Sequence, residues 1–223
     1  MDNIASYIEH TNLKPIITDR EVDLLVAEAK EYGFSGVCVP PFWVKRAKRE
    51  IGAFPIRLVT VIGFPLGYQM TETKIDEISR AIAGGADDLD VVMNISAFKI
   101  NMDWFKMAKC SKIVHEHQKM LKVIIETAYL SEQEIVRVCK IASDAGTDYI
   151  KTSTGFAHSG ASVENVKLIK SSLPENVGIK ASGGIKSYNM AKDLISAGAS
   201  RIGTSSGIDI IHQSDHSHGT SVY

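Results

Sequence analysis

The sequence has few cysteines, no excess of charge and no long apolar run, and each absence narrows the class of protein. The three cysteines stand far apart without a CxxC pair, which argues against a disulfide framework and a zinc ribbon and favours a reducing, cytoplasmic compartment. With 25 basic and 26 acidic residues spread along the chain, there is no basic stripe to follow a phosphate backbone. Nucleic acid is therefore not an expected partner.

Membrane-spanning and targeting segments are also missing from the sequence pattern. The longest apolar runs, such as LKVIIETAYL, are far too short to cross a bilayer. The first residues, MDNIASYIEH, include an early Asp and Glu and lack the basic and apolar regions of a secretion signal. We expect a soluble, untargeted protein with no membrane partner.

What the sequence does contain is a regular alternation of two kinds of segment. Runs rich in Val and Ile alternate with segments of helical periodicity, and the spacings Thr18 to Glu21 and Ser131 to Glu134 are those of capping boxes at helix starts. The predicted strands are residues 7–11, 36–39, 58–62, 88–93, 122–125, 149–151, 177–180 and 201–203.

Alternating strands and helices predict a parallel sheet, and eight repeats are the number that closes a (β/α)8 barrel. An open doubly wound sheet is the alternative, but the GxGxxG fingerprint expected after its first strand is missing. No linker rich in Pro, Gly or Ser divides the chain. We therefore predict a single α/β domain, a TIM barrel over residues 1–211, followed by a short, polar, flexible tail over 212–223.

In a barrel, alternate side chains of each strand face the helices and the interior. In the fourth predicted strand, the alternate apolar side chains must face the helices. Asp90, which lies between two of them, therefore faces the barrel interior. By the same alternation Lys151, at the end of the sixth strand, and Lys180, at the end of the seventh, face inward. Barrel active sites lie at this C-terminal end of the strands.

Two inward lysines on neighbouring strands predict amine catalysis. Adjacent strands lie ~4.8 Å apart, so the two ammonium groups would approach within ~5 Å. At an effective dielectric of ~20 their repulsion would be ~3 kcal/mol, or roughly two pKa units on one of them. An amine that loses its proton near neutral pH attacks a carbonyl. The alternative is that Asp90 forms a structural ion pair with one lysine.

Two glycine-rich segments, SGGI after the seventh strand and GTSSG at the end of the eighth, predict a phosphate site. Barrels frequently bind phosphate at these places on backbone amides, which glycine allows to approach the anion closely. Ordinary loop chemistry would also account for such glycines. Together with the lysines, they favour a phosphorylated carbonyl substrate.

Several motifs, in the same order, resemble those of the deoxyribose-phosphate aldolases, a class I aldolase family. The segment KTSTGF beginning at Lys151 resembles the family's Schiff-base segment, KASGGI beginning at Lys180 its second-lysine segment, and GADDLD ending at Asp90 its aspartate strand. The other matching segments are EHTNLKP, VCV, GFPLG and RIGTSSG. The resemblance extends along nearly the whole chain, to about residue 211.

The resemblance implies an aldolase without metal or cofactor that reversibly cleaves 2-deoxy-D-ribose 5-phosphate to D-glyceraldehyde 3-phosphate and acetaldehyde, in deoxyribonucleoside catabolism. Lys151 would form the imine, and Asp90 and Lys180 would relay protons, with Lys180 also lowering the pKa of Lys151. The resemblance also implies that two copies of the chain form a homodimer. The implied phosphate contacts are Gly155, Gly183, Gly184, Lys186, Gly203, Ser205 and Ser206.

Four further residues are expected near the substrate. Glu9, Cys38 and Thr152 are predicted to line the pocket, although Glu9 stands where the family usually has Asp. Cys38 is also explained, and more simply, as a small buried hydrophobe. The chain ends in Tyr223, and a terminal tyrosine is proposed to assist proton transfer in some members of the family that it resembles. The alternative is a solvated tail without a specific role.

Two other functions remain open at this point. One is a metal-independent phosphosugar isomerase on the same barrel, which needs a carboxylate base and no imine lysine. The other is a sugar-phosphate binding protein without catalytic activity. Trapping with acetaldehyde and borohydride separates both from an aldolase, because only the aldolase forms a reducible imine on Lys151.

Overall fold

The computed structural model describes residues 4–101 and 104–217, which form a closed barrel of parallel strands. Each strand pairs with the next along the chain, and β8 closes the ring by pairing with β1. The predicted (β/α)8 barrel is confirmed, and the open sheet is wrong. The strands are β1 (Ile8–Thr11), β2 (Gly36–Val39), β3 (Arg57–Ile62), β4 (Asp88–Val92), β5 (Met120–Ile124), β6 (Tyr149–Lys151), β7 (Gly178–Ser182) and β8 (Arg201–Thr204).

Helices fill the intervals between the strands. At the predicted capping boxes, the hydroxyls of Thr18 and Ser131 accept from the amides of Glu21 and Glu134, whose carboxylates accept in return. These contacts satisfy amides that the first helical turn leaves free. The helices are α1 (Asp19–Tyr32), α2 (Val44–Ile51), α3 (Thr71–Gly84), α4 (Ile95–Lys99), α5 (Trp104–Glu116), α6 (Glu132–Asp144), α7 (Val163–Ser172), α8 (Tyr188–Ser196) and α9 (Gly207–Ser217).

The main core lies between the strands and the surrounding helices. Leu89, Val91 and Met93 of the fourth strand and its end pack there, as their alternation predicts. Each large aliphatic side chain buried in this layer contributes about 1.5–3 kcal/mol. Because the outward faces of the strands are apolar, the polar side chains that alternate with them face the barrel interior. These interior side chains form the candidate active site.

The end of the barrel domain differs from the prediction. Helix α9 runs to Ser217 and so includes residues placed in the polar tail. The Tyr32 hydroxyl lies 3.3 Å from His212 Nε2, and the Tyr188 amide donates to Gln213 Oε1 at 3.0 Å. These contacts hold a polar segment that has no apolar periodicity of its own. Residues beyond 217 lie outside the described part of the chain, so their prediction as a tail stays a prediction.

None of the helices within residues 4–101 and 104–217 combines the length and the apolarity needed to cross a bilayer.

Candidate active site

The register of the strands brings the predicted charged residues together. Lys151 is the direct partner of Lys180 across β6 and β7, and Asp90 is the partner of Lys122 across β4 and β5. In-register neighbours on parallel strands direct their side chains to the same side of the sheet. The inward orientation predicted for Asp90, Lys151 and Lys180 is confirmed by their direct contacts inside the barrel.

Asp90 is the centre of this cluster. One of its oxygens, Oδ2, accepts from Lys151 Nζ at 2.8 Å and from Lys180 Nζ at 2.7 Å. Its other oxygen lies 3.5 Å from Lys122 Nζ. Burial alone would raise the pKa of this carboxyl, but the three lysines outweigh burial and hold the pKa of Asp90 well below its ordinary range. Asp90 is therefore a carboxylate.

Glu9 provides a second carboxylate for Lys180. It contacts Lys180 Nζ through one oxygen, and its other oxygen lies 3.3 Å from Lys122 Nζ. Burial penalises the ammonium of Lys180, yet Asp90 and Glu9 together raise its pKa above the ordinary value. Lys180 is therefore a cation in the resting site. The repulsion predicted between the two lysines took no account of these carboxylates, which neutralise it in part.

Lys122 is a functional neighbour that the strand-end argument missed. It is fully buried, contacts Asp88 and lies near Glu9 and Asp90. Burial disfavours its charge, but these carboxylates raise the pKa of Lys122 above its ordinary value. The sequence pattern itself places Lys122 inward, because the apolar residues with which it alternates face outward. The same alternation places Asp90 inward.

A cavity of about 340 Å³ opens at the ends of β1, β6, β7 and β8, and Lys151 forms part of its wall. Ser206 lines an adjacent cavity that shares Ser205 with the first. Asn12 and Lys14 of the loop after β1 also line the cavity beside Lys151, although the sequence did not single them out. Six residues of the predicted phosphate set line the cavity beside Lys151: Gly155, Gly183, Gly184, Lys186, Gly203 and Ser205.

Two of these glycines are required by close packing. Gly183 has φ +90°, and a Cβ there would lie 3.0 Å from the Cα of Gly160. Gly203 lies beside the lysine cluster, where an added Cβ would lie 3.0 Å from Lys180 Cε. Gly203 therefore leaves room for the aliphatic part of Lys180, besides lining the cavity.

The residues predicted to line the pocket occupy different places. Thr152 is fully buried, and its hydroxyl donates to the Ser182 carbonyl at 3.1 Å and accepts from the Ser182 amide at 3.0 Å. Thr152 thus links the end of β6 to the last residue of β7 and is not part of the cavity wall. Glu9 likewise lies within the lysine cluster. Tyr223 lies outside the described residues, and its role stays a prediction.

Cys38 is buried in a small apolar cluster with Val59 and Val61. Burial raises the pKa of its thiol, so the reactive thiolate is disfavoured. This environment supports the simpler explanation of Cys38 as a buried hydrophobe.

Comparison with known proteins identifies the family of this barrel. The family model described as "DeoC/LacD family aldolase" matches residues 4–214. The chain belongs to this family. The deoxyribose-phosphate aldolase of Thermococcus kodakarensis is 49% identical, over 93% of this chain and 95% of the relative. Deoxyribose-phosphate aldolase 1 of Oceanobacillus iheyensis is 44% identical, over 99% of this chain and 100% of the relative.

A solved structure of a DeoC/LacD family relative has the same fold. The deoxyribose phosphate aldolase from Aeropyrum pernix, described as having a unique tetrameric structure, superposes with a TM-score of 0.90 at 32% sequence identity. The match covers 95% of this chain and 91% of that chain.

In this DeoC/LacD family barrel, the lysine cluster adjoins a cavity large enough for a small sugar phosphate. Lys151 is both a partner of Asp90 and part of the cavity wall. Asp90 and Lys180 are fully buried beside it. The arrangement can therefore present one amine to a carbonyl while holding a carboxylate and a cation next to the reacting nitrogen.

Proposed function

We propose that this protein is a deoxyribose-phosphate aldolase that reversibly cleaves 2-deoxy-D-ribose 5-phosphate to D-glyceraldehyde 3-phosphate and acetaldehyde through a Schiff base on Lys151. The observation that carries the proposal is the position of Lys151, which lies on the cavity wall with its Nζ 2.8 Å from Asp90. Family membership and the relatives at 44–49% identity support the same reaction.

The reaction begins when the free amine of Lys151 adds to the C1 aldehyde of the open-chain sugar and water leaves. The C3 hydroxyl of the resulting protonated imine then loses its proton, and the C2–C3 bond breaks. The electron pair of that bond moves toward the imine nitrogen, so the two-carbon unit is held as an enamine while glyceraldehyde 3-phosphate departs. Protonation at C2 and hydrolysis release acetaldehyde and restore Lys151.

Asp90 and Lys180 form the proton relay in this proposal. Asp90 is shared by the two lysines through a single oxygen, so a proton shift at one lysine is felt at the other. Lys180 is held as a cation by Asp90 and Glu9 and supplies a donor close to the reacting atoms. These contacts support a relay in which Asp90 orients both amines.

We assign the substrate phosphate to the glycine-rich part of the cavity. Left-handed Gly155, Gly183 and Gly184 lie on its wall without side chains that would keep an anion from the backbone. Lys186, Gly203, Ser205 and the adjacent Ser206 complete the predicted set, and exposed Lys14 adds a second positive charge at the cavity.

The test is to treat the protein with acetaldehyde and sodium borohydride, followed by peptide mapping. We expect an irreversible gain of one ethyl group on the peptide that contains Lys151. The same treatment of Lys151→Ala should give no gain there and no aldol cleavage. An isomerase or a binding protein would show no trapped adduct, and an adduct confined to another lysine would contradict the assignment of Lys151.

We also infer a cytoplasmic homodimer. Cys38, Cys110 and Cys139 are buried cysteines, and their wide spacing supports a reducing compartment. Exposed apolar side chains such as Phe42 and Tyr68 supply surface for self-association. Light scattering should report the mass of two chains, and the mass of one or four would contradict the dimer.

A further inference from the structure

We propose that Glu126, a residue outside the lysine cluster, positions the phosphate-binding loop and so determines the preference for phosphorylated substrates. The inference rests on the proposed function, since it concerns the phosphate end of the same site. Glu126 follows β5 and does not line the cavity, which makes it a positioning residue that acts through the loop after β6.

The backbone of Glu126 is held in an unfavourable conformation. Its φ is 51° and its ψ 71°, in the left-handed region that residues with side chains rarely adopt. The residue is only 3% exposed, so its carboxylate is withdrawn from water as well. Both features are costly, and they persist only where surrounding contacts compensate for them.

Thr154 supplies the hydrogen bonds that compensate the buried carboxylate. The Thr154 amide donates to both carboxylate oxygens of Glu126, at 3.3 and 3.2 Å, and the Thr154 hydroxyl donates to Oε2. The hydroxyl oxygen of Thr154 in turn accepts from the amide of Phe156 at 3.1 Å. Glu126 thus fixes Thr154 directly and Phe156 through it, and Gly155 is held between them.

This short loop is part of the cavity wall. Thr154, Gly155 and Phe156 all line the cavity, and a Cβ on Gly155 would lie 3.8 Å from the Cα of Gly183. The placement of one glycine against the other therefore depends on where Glu126 holds the loop. A shift of the loop would separate two of the proposed phosphate contacts.

The lysine end of the site does not depend on Glu126 in the same way. Lys151 lies on β6, paired with Ile124 and Lys180 in the barrel, and its Nζ is bonded to Asp90. Loss of the Glu126 contacts should thus weaken phosphate recognition while the imine still forms.

The experiment compares Glu126→Gln and Glu126→Ala with the wild type on 2-deoxyribose 5-phosphate and on unphosphorylated 2-deoxyribose. Loss of hydrogen bonds to a charged group predicts a fall of roughly tenfold to hundredfold in kcat/KM for the phosphorylated sugar, mainly through KM. The unphosphorylated sugar should change little. Competitive inhibition by inorganic phosphate should weaken in parallel, and borohydride trapping at Lys151 should persist.

Two sets of variants serve as controls. Thr154→Val removes the hydroxyl contact and should lower the preference for the phosphorylated sugar, whereas Thr154→Ser keeps the hydroxyl and should restore it. Thr147→Val removes a buried hydroxyl at the opposite end of β6, where it bonds the carbonyls of Leu121 and Tyr149. It should lower stability without changing the preference. Thr154→Val also provides the test if the Glu126 variants do not fold.

Equal losses for both sugars, or unchanged inhibition by phosphate in a folded variant, would overturn the inference and leave Glu126 with a structural role alone. Failure of the proposed function looks different, because the wild type itself would then neither cleave the phosphorylated sugar nor be trapped by borohydride. That result would remove the basis of the inference as well.

Discussion

The two ends of the site are built in opposite ways. At the lysine end, buried side chains from several strands neutralise one another, and Asp90 and Lys180 are shielded from water completely. At the phosphate end, the wall consists largely of loop backbone, left-handed glycines and exposed lysines. Ion pairs in the barrel interior determine the structure of the lysine end, and loop conformation determines the structure of the phosphate end.

The difference shows what each end requires. A group that must gain and lose protons beside a fixed cation needs defined neighbours, and rigid strands hold them best. A dianion such as a phosphate needs several donors at once, which closely approaching backbone amides supply. Changes at the lysine end should therefore affect rate and stability together, and changes at the phosphate end should affect mainly substrate affinity.

The largest effect is expected from Asp90→Asn, at the lysine end. Removing the shared carboxylate leaves Lys151, Lys180 and Lys122 with less compensating charge, which should cost about 3–5 kcal/mol of unfolding free energy. The loss of proton transfer should lower kcat by on the order of 10²- to 10⁴-fold. Urea unfolding and steady-state kinetics measure the two effects.

The matched control is Asp76→Asn, which removes an exposed carboxylate paired with Arg80 at 2.7 Å on α3. Such a pair is screened by water, so stability and rate should stay as in the wild type. If Asp90→Asn behaved like Asp76→Asn, the lysine cluster would not depend on its central carboxylate.

A smaller effect is expected at the phosphate end from Gly183→Ala, with Gly184→Ala as its partner. Both glycines have left-handed φ, +90° and +76°, so both substitutions share a similar backbone strain. Only at Gly183 does the new Cβ meet close neighbours, 3.0 Å from Gly160 Cα and 3.2 Å from Ser153 Cβ. We expect KM for the phosphorylated sugar to rise roughly tenfold more in Gly183→Ala. A greater rise in Gly184→Ala would contradict this account of the cavity wall.

The smallest effect is a pH dependence of stability that distinguishes the lysine end from the phosphate end. Lysine neighbours hold the pKa values of Asp90 and Glu9 below their ordinary range, so these carboxyls stabilise the fold fully above the unfolded values of about 4. This stabilisation is lost as the pH falls further. The raised pKa values of Lys122 and Lys180 contribute stability that is complete below about pH 10 and is lost above it.

Urea midpoints measured from about pH 3 upward should therefore fall on the acidic side of about pH 5. Asp90→Asn should flatten this decline, because one of the responsible groups no longer titrates. Gly183→Ala should keep the slope of the wild type. An unchanged acid slope in Asp90→Asn would assign the decline to carboxylates elsewhere.

The same contrast explains how far the sequence predicts the structure. Strand residues alternate with a period of two, so the barrel, the outward Leu89 and the inward Asp90 follow from local pattern and close packing. Lys122 obeys the same rule, although it lies in the middle of β5 and not at its C-terminal end. Helix starts at Thr18 and Ser131 are equally local, since the capping residues lie three positions apart.

Beyond the strand ends this rule no longer holds. Thr152 directly follows β6, but its side chain turns to the backbone of Ser182, a direction that alternation does not predict. Glu126 adopts a left-handed conformation that is typical of glycine, and its carboxylate accepts hydrogen bonds from Thr154, which is distant in sequence. The end of α9 depends on contacts of His212 and Gln213 with other helices. These features arise from tertiary contacts, and no short sequence pattern marks them.

The contact between Glu9 on β1 and Lys180 on β7 joins residues that are 171 positions apart, and β8 lies between the two strands in the closed ring. It can form only after β1 has met β8 and the ring has closed. Until then the charged side chains of the interior remain hydrated, and a contact of such long range forms slowly in folding. We therefore expect enzymatic turnover, which needs the assembled lysine cluster, to report completion of the barrel during refolding and not the growth of its helices.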